Sequence, residues 1–259
     1  MKILEYNTSN NVRAFSTYRG KGSDNYAEFN ITHYCGDSPE HVARCRKELC
    51  DILGIEDKEL ILPRQTHGNK VICIDDRFAT LNKEQQEEML YGIDAIITDI
   101  PRTCIGVSTA DCIPILLYDD TKRVIAAVHA GWRGTVANIA TECITTMRDK
   151  YGCTASDIKA IIAPGISQDS FEVGDDVYEQ FYNSGFHMEK IAQRYPAENG
   201  EKWHIDLWKA NRLQMINAGI KNENITSCGI CTYKQHNDFF SARRLGINSG
   251  RIFNGIMLL

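Results

Sequence analysis

Three residues that could share one chemical task are spread over the middle of the chain: His67, Cys112 and His129. Each follows a strand-like segment and stands in a tight turn of small residues, in the runs QTHG, TADC and HAGWRG respectively. Two imidazoles and one thiolate are a suitable ligand set for a catalytic zinc, which takes three protein ligands and leaves its fourth tetrahedral position open. The same residues could instead supply a cysteine nucleophile and a histidine base. The residue types alone leave both chemistries open.

The spacing of these three residues argues against a structural zinc site. Gaps of 45 and 17 residues separate them along the chain. Structural zinc sites take their ligands from short local spacings. The pattern therefore indicates a catalytic site that is assembled at the ends of three different strands.

Asp111, which immediately precedes Cys112, is a further candidate for the chemistry. Its carboxylate could support a metal ligand by a hydrogen bond, or it could protonate a leaving group. An aspartate that only forms a turn before the next element is an equally good interpretation.

Two further segments could hold an anion or a base. In HAGWRG the glycines allow close approach to the backbone at a helix start, and Arg133 adds positive charge. In FFSARR, Phe240 precedes Arg243 and Arg244, so the run could stack on a base and grip a phosphate. A buried pair of phenylalanines followed by a solvated basic end is the alternative interpretation of that run.

The segments that must position these residues alternate between strands and helices. Near-continuous β-branched runs predict strands that are covered on both faces. Strands are predicted at Glu59–Leu62, Lys70–Ile74, Asp94–Thr98, Thr103–Val107, Ile113–Tyr118, Arg123–Val128 and Lys159–Ala163. Helices are predicted at Pro39–Leu53, Lys83–Leu90, Thr135–Lys150, Gly174–Tyr182 and Leu207–Ala218. This order predicts an α/β fold with a mixed sheet flanked by helices.

The chain contains no internal repeat and no low-complexity linker, so its 259 residues are predicted to form a single domain, residues 1–259. Residues 194–203, RYPAENGEKW, are predicted to be a loop. A lone CxxC at Cys228–Cys231 has no second pair nearby, so buried or incidental thiols are expected there.

Composition limits the partners and the compartment. A net charge of -5 and a pI near 5.8 give no basic footprint for nucleic acid. The sequence contains no run of about 18 consecutive apolar residues, so no membrane span is predicted. The N-terminus lacks the apolar core of a signal peptide. Ten cysteines without a secretion signal are expected to be reduced, so we expect a cytoplasmic protein. The sequence does not set the oligomeric state.

Several segments together resemble one family, the YfiH-like proteins, also called laccase-domain or polyphenol-oxidase-type purine nucleoside phosphorylases. The most specific are STADCIPILLYD, from Ser108 to Asp119, and AAVHAGWRGT, from Ala126 to Thr135. Other matching segments are QTHG, DAIIT, APGIS, FEVG and FFSARR. The matches span residues 65–251 in the order that the family has.

This resemblance implies a single-domain α/β fold with three layers around a mixed sheet. It implies that His67, Cys112 and His129 bind one zinc ion, and that purine nucleosides and phosphate are the substrates. The implied reactions are phosphorolysis of adenosine, inosine, guanosine and methylthioadenosine, and deamination of adenosine. Cys112 and Asp111 are expected to be catalytic, with Asp111 protonating the leaving amine. Residues expected to contact substrate or phosphate are Arg46, Gln65, Arg133, Phe240, Arg243 and Arg244.

The family's older label is a copper-dependent laccase, and two histidines with a cysteine could also bind copper. A multicopper laccase needs many more histidines, and the seven in this chain show no His-x-His pattern. Zinc is therefore the expected cofactor, with copper as a possible substitute. A Cys-His hydrolase and a copper-dependent polyphenol oxidase stay as alternative functions, and a binding protein without catalysis would leave the three residues unexplained.

The chain departs from the family pattern in three places, the first of which bears on substrate. Residues 19–32, RGKGSDNYAEFNIT, are shorter and altered where the family has a Gly-Gly-Val-Ser loop, which puts substrate preference in doubt. Cys45 stands where the family has Asn, while the following Arg46 is kept. Ser170 also replaces a cysteine that the family often carries.

Overall fold

The computed structural model describes residues 1–22, 24–198 and 200–259, and these residues form fourteen strands and eight α-helices. The strands are β1 Ile3–Glu5, β2 Val12–Thr17, β3 Leu60–Ile61, β4 Val71–Ile74, β5 Ala95–Thr98, β6 Cys104–Thr109, β7 Ile113–Asp119, β8 Val124–Ala130, β9 Lys159–Ile162, β10 Glu172–Val173, β11 Ala192–Ala197, β12 Gly200–Ile205, β13 Ile225–Ser227 and β14 Ile252–Leu258. The α-helices are α1 Pro39–Leu53, α2 Lys83–Leu90, α3 Trp132–Val136, α4 Ile139–Tyr151, α5 Asp175–Asn183, α6 Met188–Ile191, α7 Leu207–Asn217 and α8 Ala242–Leu245. The mixed α/β class predicted from the sequence is confirmed. Within the described ranges, no helix combines the length and the apolar character needed to cross a bilayer.

The strands are divided among two large mixed sheets and one small antiparallel sheet. The five-stranded sheet has the order β1-β2-β14-β6-β3, and the six-stranded sheet has the order β13-β9-β7-β8-β5-β4. The third sheet has the order β10-β12-β11. Parallel pairing occurs between β3 and β6, β4 and β5, and β9 and β13.

The two large sheets share one buried aliphatic core. Val107 and Ile256 of the five-stranded sheet belong to the same cluster as Leu116 and Ile125 of the six-stranded sheet. Helix α1 covers the other face of the first sheet, and α4 and α7 cover the other face of the second. The layers therefore run helix, sheet, sheet, helix. Strands β3 and β6, which the sequence patterns placed in the same sheet as the other predicted strands, pair instead within a separate sheet that β1, β2 and β14 complete.

Local caps explain why α1 and α2 have the bounds predicted from the sequence. The side chain of Ser38 accepts a hydrogen bond from the backbone of His41 at the start of α1. Gly54 ends α1 in the left-handed conformation, with φ 67°. Asn82 caps α2 by accepting from the backbone of Gln85. Such caps satisfy backbone groups that have no partner inside the helix.

The prediction of one continuous helix at Thr135–Lys150 is wrong, because this segment is divided between α3 and α4. Asn138, between α3 and α4, has the left-handed φ of 61°. Gln214 of α7 donates to Asn138 Oδ1 at 2.6 Å and to the carbonyl of Thr135 at 2.8 Å. A contact with a distant helix therefore accompanies the break, where the sequence has neither glycine nor proline.

The loop predicted at residues 194–203 is wrong, because most of it forms a β-hairpin of β11 and β12. Pro196 is tolerated in β11 because that strand lies at the sheet edge. The Trp203 ring stacks on Tyr178 of α5 with centroids 4.2 Å apart, which anchors the hairpin. Residue 199 of this segment, and residue 23 of the altered segment 19–32, lie outside the described residues.

Candidate metal centre

His67, Cys112 and His129 meet at one end of the six-stranded sheet. Cys112 directly precedes β7 and His129 lies near the end of β8, and these two strands are antiparallel neighbours. His67 stands in the turn between β3 and β4. The potential ligand atoms of the three side chains all lie within 4.8 Å of one another. The fold thus brings together the three residues that the sequence singled out.

One buried carboxylate, that of Asp94, holds both histidines. Its Oδ1 accepts from Nδ1 of His129 at 2.8 Å and from the backbone N–H of His67 at 3.0 Å. Its Oδ2 accepts from the backbone N–H groups of Gly68 at 2.7 Å and Thr66 at 3.3 Å. With Nδ1 of His129 donating to a carboxylate, the lone pair of that ring is on Nε2 and is available to a metal.

Sequence reasoning missed this role of Asp94, since it placed the residue only at the start of a buried strand. The signal in the sequence was a carboxylate at the head of an apolar run, and the structure shows that this side chain is fully buried. A buried carboxylate is costly unless several donors compensate it. Such a residue is therefore itself a pointer to a site.

The turn that carries His67 is held in an uncommon conformation. His67 has φ 64°, in the left-handed region that non-glycine residues rarely adopt. The N–H groups of three consecutive residues, Thr66 to Gly68, converge on the Asp94 carboxylate and stabilise this turn.

Gly131 of the HAGWRG run leaves room for all three candidate ligands. A Cβ on this residue would lie 3.0 Å from Cys112 Sγ and 3.1 Å from Cδ2 of His67. A glycine is therefore favoured at this position, because a larger residue would crowd the candidate ligands. The following helix, α3, has only five residues, and the exposed guanidinium of Arg133 lies 4.2 Å from the Trp132 ring.

The charges of the trio favour a thiolate. Burial raises the pKa of the Cys112 thiol, but His129 and His67 lower it more strongly, to about 6. Burial lowers the pKa of His129, but Cys112 and Asp94 raise it to about 9. Burial raises the pKa of Asp94, and the hydrogen bonds from His129 and the turn outweigh that effect and lower it. A thiolate is the form of cysteine that binds metals and attacks electrophiles.

The donor set fits a transition metal, and the site is accessible to solvent from one side. His129 is buried, Cys112 is partly buried and His67 is exposed, so the trio opens toward solvent on one side. Among residues 1–22, 24–198 and 200–259, this is the one group of three or more metal-binding side chains that converge in this way. Three protein ligands with an open side is the arrangement of catalytic zinc sites.

The trio lies in a cleft of about 950 Å³, within the upper range of small-molecule sites. Apolar side chains from Trp132, Ile166 and Phe171 form part of its wall. Arg243 and Arg251 bring positive charge to it. The cleft therefore combines apolar surface for a ring system with cationic groups for an anion.

Asp111 also lines this cleft and forms a left-handed turn with φ 90°. Its Oδ1 accepts from the hydroxyl of Thr232 at 2.7 Å, and its Oδ2 accepts from the backbone N–H of Arg243 at 2.7 Å. Both sequence interpretations, the turn and the site residue, describe its position. Its role as a proton donor stays a prediction.

Gln65 and Arg243 are the predicted substrate-contact residues that line the cleft. The amide of Gln65 donates to the carbonyl of Ser108 and accepts from its N–H, both at 2.8 Å. Gln65 therefore fixes the strand before Cys112, in addition to facing the cleft.

The other predicted contacts lie outside the cleft lining: Arg46, Arg133, Phe240 and Arg244. Arg46 Nε donates to Asp57 Oδ1 at 2.8 Å, and its Nη2 donates to the carbonyl of Leu60 at 2.9 Å. Phe240 is fully buried, and Arg244 is exposed beside Tyr233. The structure does not bring these four residues to the trio, and the core interpretation of Phe240 describes its position.

Several cleft residues were not singled out from the sequence. The hydroxyl of Tyr34 lies 2.7 Å from Ser108 Oγ, and Tyr34 follows the altered segment, residues 19–32, by two positions. Phe171 was noted only as part of the matching segment FEVG, and residue 251 only as the end of the matching span. Their side chains reach the cleft because distant loops fold over the ends of β6 and β7, which no local pattern reveals.

Residues 13–259 match a family described as multi-copper polyphenol oxidoreductase laccase. The chain belongs to this laccase-domain family. The resemblance noted in the sequence is thereby confirmed.

Relatives of this laccase-domain chain carry enzyme names. It is 46% identical over 250 residues to a protein of Bacteroides thetaiotaomicron named purine nucleoside phosphorylase, covering 96% of this chain and 92% of that one. It is 45% identical over 247 residues to adenosine deaminase RL5 from an unknown prokaryotic organism, covering 95% and 93%.

Solved structures of laccase-domain proteins share the fold. YlmD from Geobacillus stearothermophilus superposes with a TM-score of 0.85 at 25% identity, covering 96% of this chain and 92% of that one. YfiH from Bacillus licheniformis superposes with a TM-score of 0.84 at 27% identity, covering 96% and 93%.

Proposed function

We propose that this protein is a zinc-dependent purine nucleoside phosphorylase that also deaminates adenosine. The observation that carries the proposal is the convergence of His67, Cys112 and His129 in an open cleft. The names of two relatives at 46% and 45% identity support both reactions. The proposed nucleosides are adenosine, inosine, guanosine and methylthioadenosine, with phosphate as the second substrate. We propose that residues 1–259 act as one domain in the reducing cytoplasm, in keeping with ten free thiols.

In this proposal the trio holds the metal, and Asp94 orients the ring of His129 and holds the backbone of His67. When bound there, zinc would supply a Lewis acid with an open coordination position. The same donor set accepts copper, so the metal must be identified by elemental analysis of the purified protein.

The cleft residues position the nucleoside. Trp132, Ile166 and Phe171 offer apolar surface to the purine and exclude water from it. In phosphorolysis, phosphate attacks C1′ of the ribose, the bond from C1′ to N9 breaks, and the purine leaves with a proton. In deamination, water adds at C6 and loses a proton, and ammonia leaves; we assign to Asp111 the transfer of that proton from the water to the leaving amine.

The test is to incubate the zinc-loaded protein with adenosine, with and without phosphate, and to separate the products by chromatography. Adenine and ribose 1-phosphate that form only with phosphate would establish the phosphorylase, and inosine would establish the deaminase. Cys112→Ala should abolish both reactions. Cys228→Ala, which changes a partly buried cysteine outside the cleft lining, is the matched control and should keep them. Failure to convert any purine nucleoside would reject the proposal.

A Cys-His hydrolase is the second candidate, because Asp94, His129 and Cys112 also form a carboxylate, base and nucleophile series. Such a series needs one imidazole. Here the ring of His67 lies 4.8 Å from that of His129, and Asp94 binds Nδ1 of the His129 ring and the backbone N–H of His67. The paired imidazoles favour metal binding over the hydrolase.

Copper-dependent oxidation of phenols is the reaction that the family description names. A multicopper oxidase would need further histidine clusters, and the described residues form one such group. Oxygen uptake by copper-loaded protein with a phenol tests this reaction directly, and we expect none above the Cys112→Ala variant.

A further inference from the structure

We infer that Arg243 and Arg251 form an anion subsite in the cleft and that this subsite binds inorganic phosphate. The identity of the ligand rests on the proposed function. The existence of the subsite rests on the positions, partners and charges of the two arginines.

Arg243 is exposed on the wall of the cleft, and Asp111, Glu172 and Phe171 hold it there. Its backbone N–H donates to Oδ2 of Asp111 at 2.7 Å, which ties it to the residue before Cys112. Its two terminal nitrogens both donate to the carbonyl of Glu172 at 3.2 Å, and its guanidinium lies 5.6 Å from the centre of the Phe171 ring. An arginine fixed in this way loses little side-chain freedom when it binds an anion.

Residues 246–250, which we call the rim loop, connect helix α8, which carries Arg243, to Arg251. Nη2 of Arg251 donates to the carbonyl of Ile247 at 2.9 Å and its Nη1 to that of Gly250 at 3.0 Å. Its backbone N–H donates to Oδ1 of the buried Asn30 at 3.1 Å. Arg251 lines the cleft together with Tyr34 and Arg243.

The positive charge of both arginines is uncompensated. In the described part of the chain, their guanidinium groups donate to neutral oxygens, and no carboxylate pairs with either of them. Asp111 is the carboxylate of the cleft lining, and both of its oxygens already accept hydrogen bonds. By contrast, Arg46 pairs with Asp57 at 2.8 Å outside the cleft.

This arrangement suits a phosphate dianion. A guanidinium presents parallel N–H donors that match two phosphate oxygens, and such charge-assisted bonds are stronger than neutral ones. Carbonyl partners orient the arginines without neutralising them. A phosphate held on this rim would face a nucleoside bound between the rim and the trio.

The experiment measures binding of inorganic phosphate to the zinc-loaded protein by calorimetry, without nucleoside, and then KM for phosphate in phosphorolysis. Arg243→Gln and Arg251→Gln should each weaken phosphate about tenfold to a hundredfold, as expected for loss of a charge-assisted hydrogen bond. Arg243→Lys and Arg251→Lys should recover part of that loss, because they keep the charge. Arg148→Gln is the control for net charge, since Arg148 is exposed on α4 and pairs with Asp149.

Deamination of adenosine separates this subsite from general damage, because that reaction uses no phosphate. In the Gln variants, KM for phosphate should rise by about tenfold to a hundredfold, and kcat/KM for deamination should fall by much less than that. Unchanged phosphate affinity in both Gln variants would overturn the subsite even if phosphorolysis proceeds. If the unchanged protein binds phosphate but cleaves no nucleoside, and the Gln variants lose that binding, the subsite is upheld and the phosphorylase is rejected.

Discussion

The carboxylate of Asp94 accepts a hydrogen bond from Nδ1 of His129 at 2.8 Å, and its other contacts hold the turn of His67. One buried residue thus sets the ring orientation of one histidine and the backbone of the other. Loss of a group that orients a metal-binding histidine in this way typically lowers metal affinity by about 10-fold to 100-fold.

Asp94→Asn should therefore weaken zinc binding by about 10-fold to 100-fold. An asparagine can donate from Nδ2 to Nδ1 of His129, which moves the ring proton to Nε2, the nitrogen that the metal needs. Zinc affinity measured by competition with a chelating dye gives the size of the effect. Nitrogen NMR of the metal-free protein reports which nitrogen of His129 carries the proton.

Asp119→Asn is the matched control for Asp94→Asn. Asp119 is also a buried carboxylate, and it accepts from the backbone N–H groups of Thr121 and Lys122 at 2.9 Å in a turn away from the trio. Its variant should lose stability but keep zinc affinity. Equal zinc affinity in the Asp94 variant and the control would show that Asp94 does not orient the ligands.

Gly131→Ala should disturb the metal site while the fold persists. The new methyl group would lie 3.0 Å from Cys112 Sγ and 3.1 Å from the His67 ring, so one ligand must shift. Overpacking of about 1–3 kcal/mol corresponds to roughly a tenfold to hundredfold loss of zinc affinity. Gly174→Ala is the control, because its methyl would meet only the movable carboxylate of Asp176. Wild-type metal affinity in the Gly131 variant would contradict the crowding.

Cys112 should react fastest of the ten thiols in the metal-free protein. Its pKa is lowered to about 6 after the opposing effect of burial, so it is largely a thiolate at pH 7. Burial raises the pKa of Cys104 and Cys143, and both are fully buried. Mass spectrometry after brief treatment with iodoacetamide identifies the modified residue.

Added zinc should protect Cys112 from that alkylation, because a metal-bound sulfur is a poorer nucleophile and is less accessible. The same experiment separates the two leading functions. Rapid alkylation and inactivation of the fully metal-loaded protein would favour the Cys-His hydrolase.

The sequence revealed the trio and several elements because their signals are local. His67, Cys112 and His129 each end an apolar run in a turn, and strand ends meet in space. Helices α1 and α2 were bounded correctly because Ser38 and Asn82 cap them through neighbours three residues away. Local chemistry was sufficient in each case.

The rest depends on contacts between distant segments. Asp94 reads as the first residue of a strand until β5 is placed beside β8, and Arg251 reads as a loop arginine until its rim faces the trio. Arg46 looked suited to phosphate by its motif, but Asp57 and a carbonyl occupy it. The partners of these side chains decide their roles, and those partners are too distant along the chain for a local sequence pattern to reveal.

The break between α3 and α4 shows the same limit and gives a stability prediction. Asn138 adopts φ 61°, and its Oδ1 accepts from Gln214 at 2.6 Å. Asn138→Ala should lower the free energy of unfolding by about 2–3 kcal/mol, since it combines left-handed strain with a lost hydrogen bond. Asn138→Gly should lose only about 1–2 kcal/mol, because glycine removes the strain but not the lost bond. Urea unfolding measures both. If alanine proved the milder change, a continuous helix over residues 135–150 would be the intrinsic preference, and the contact with α7 would not maintain the break.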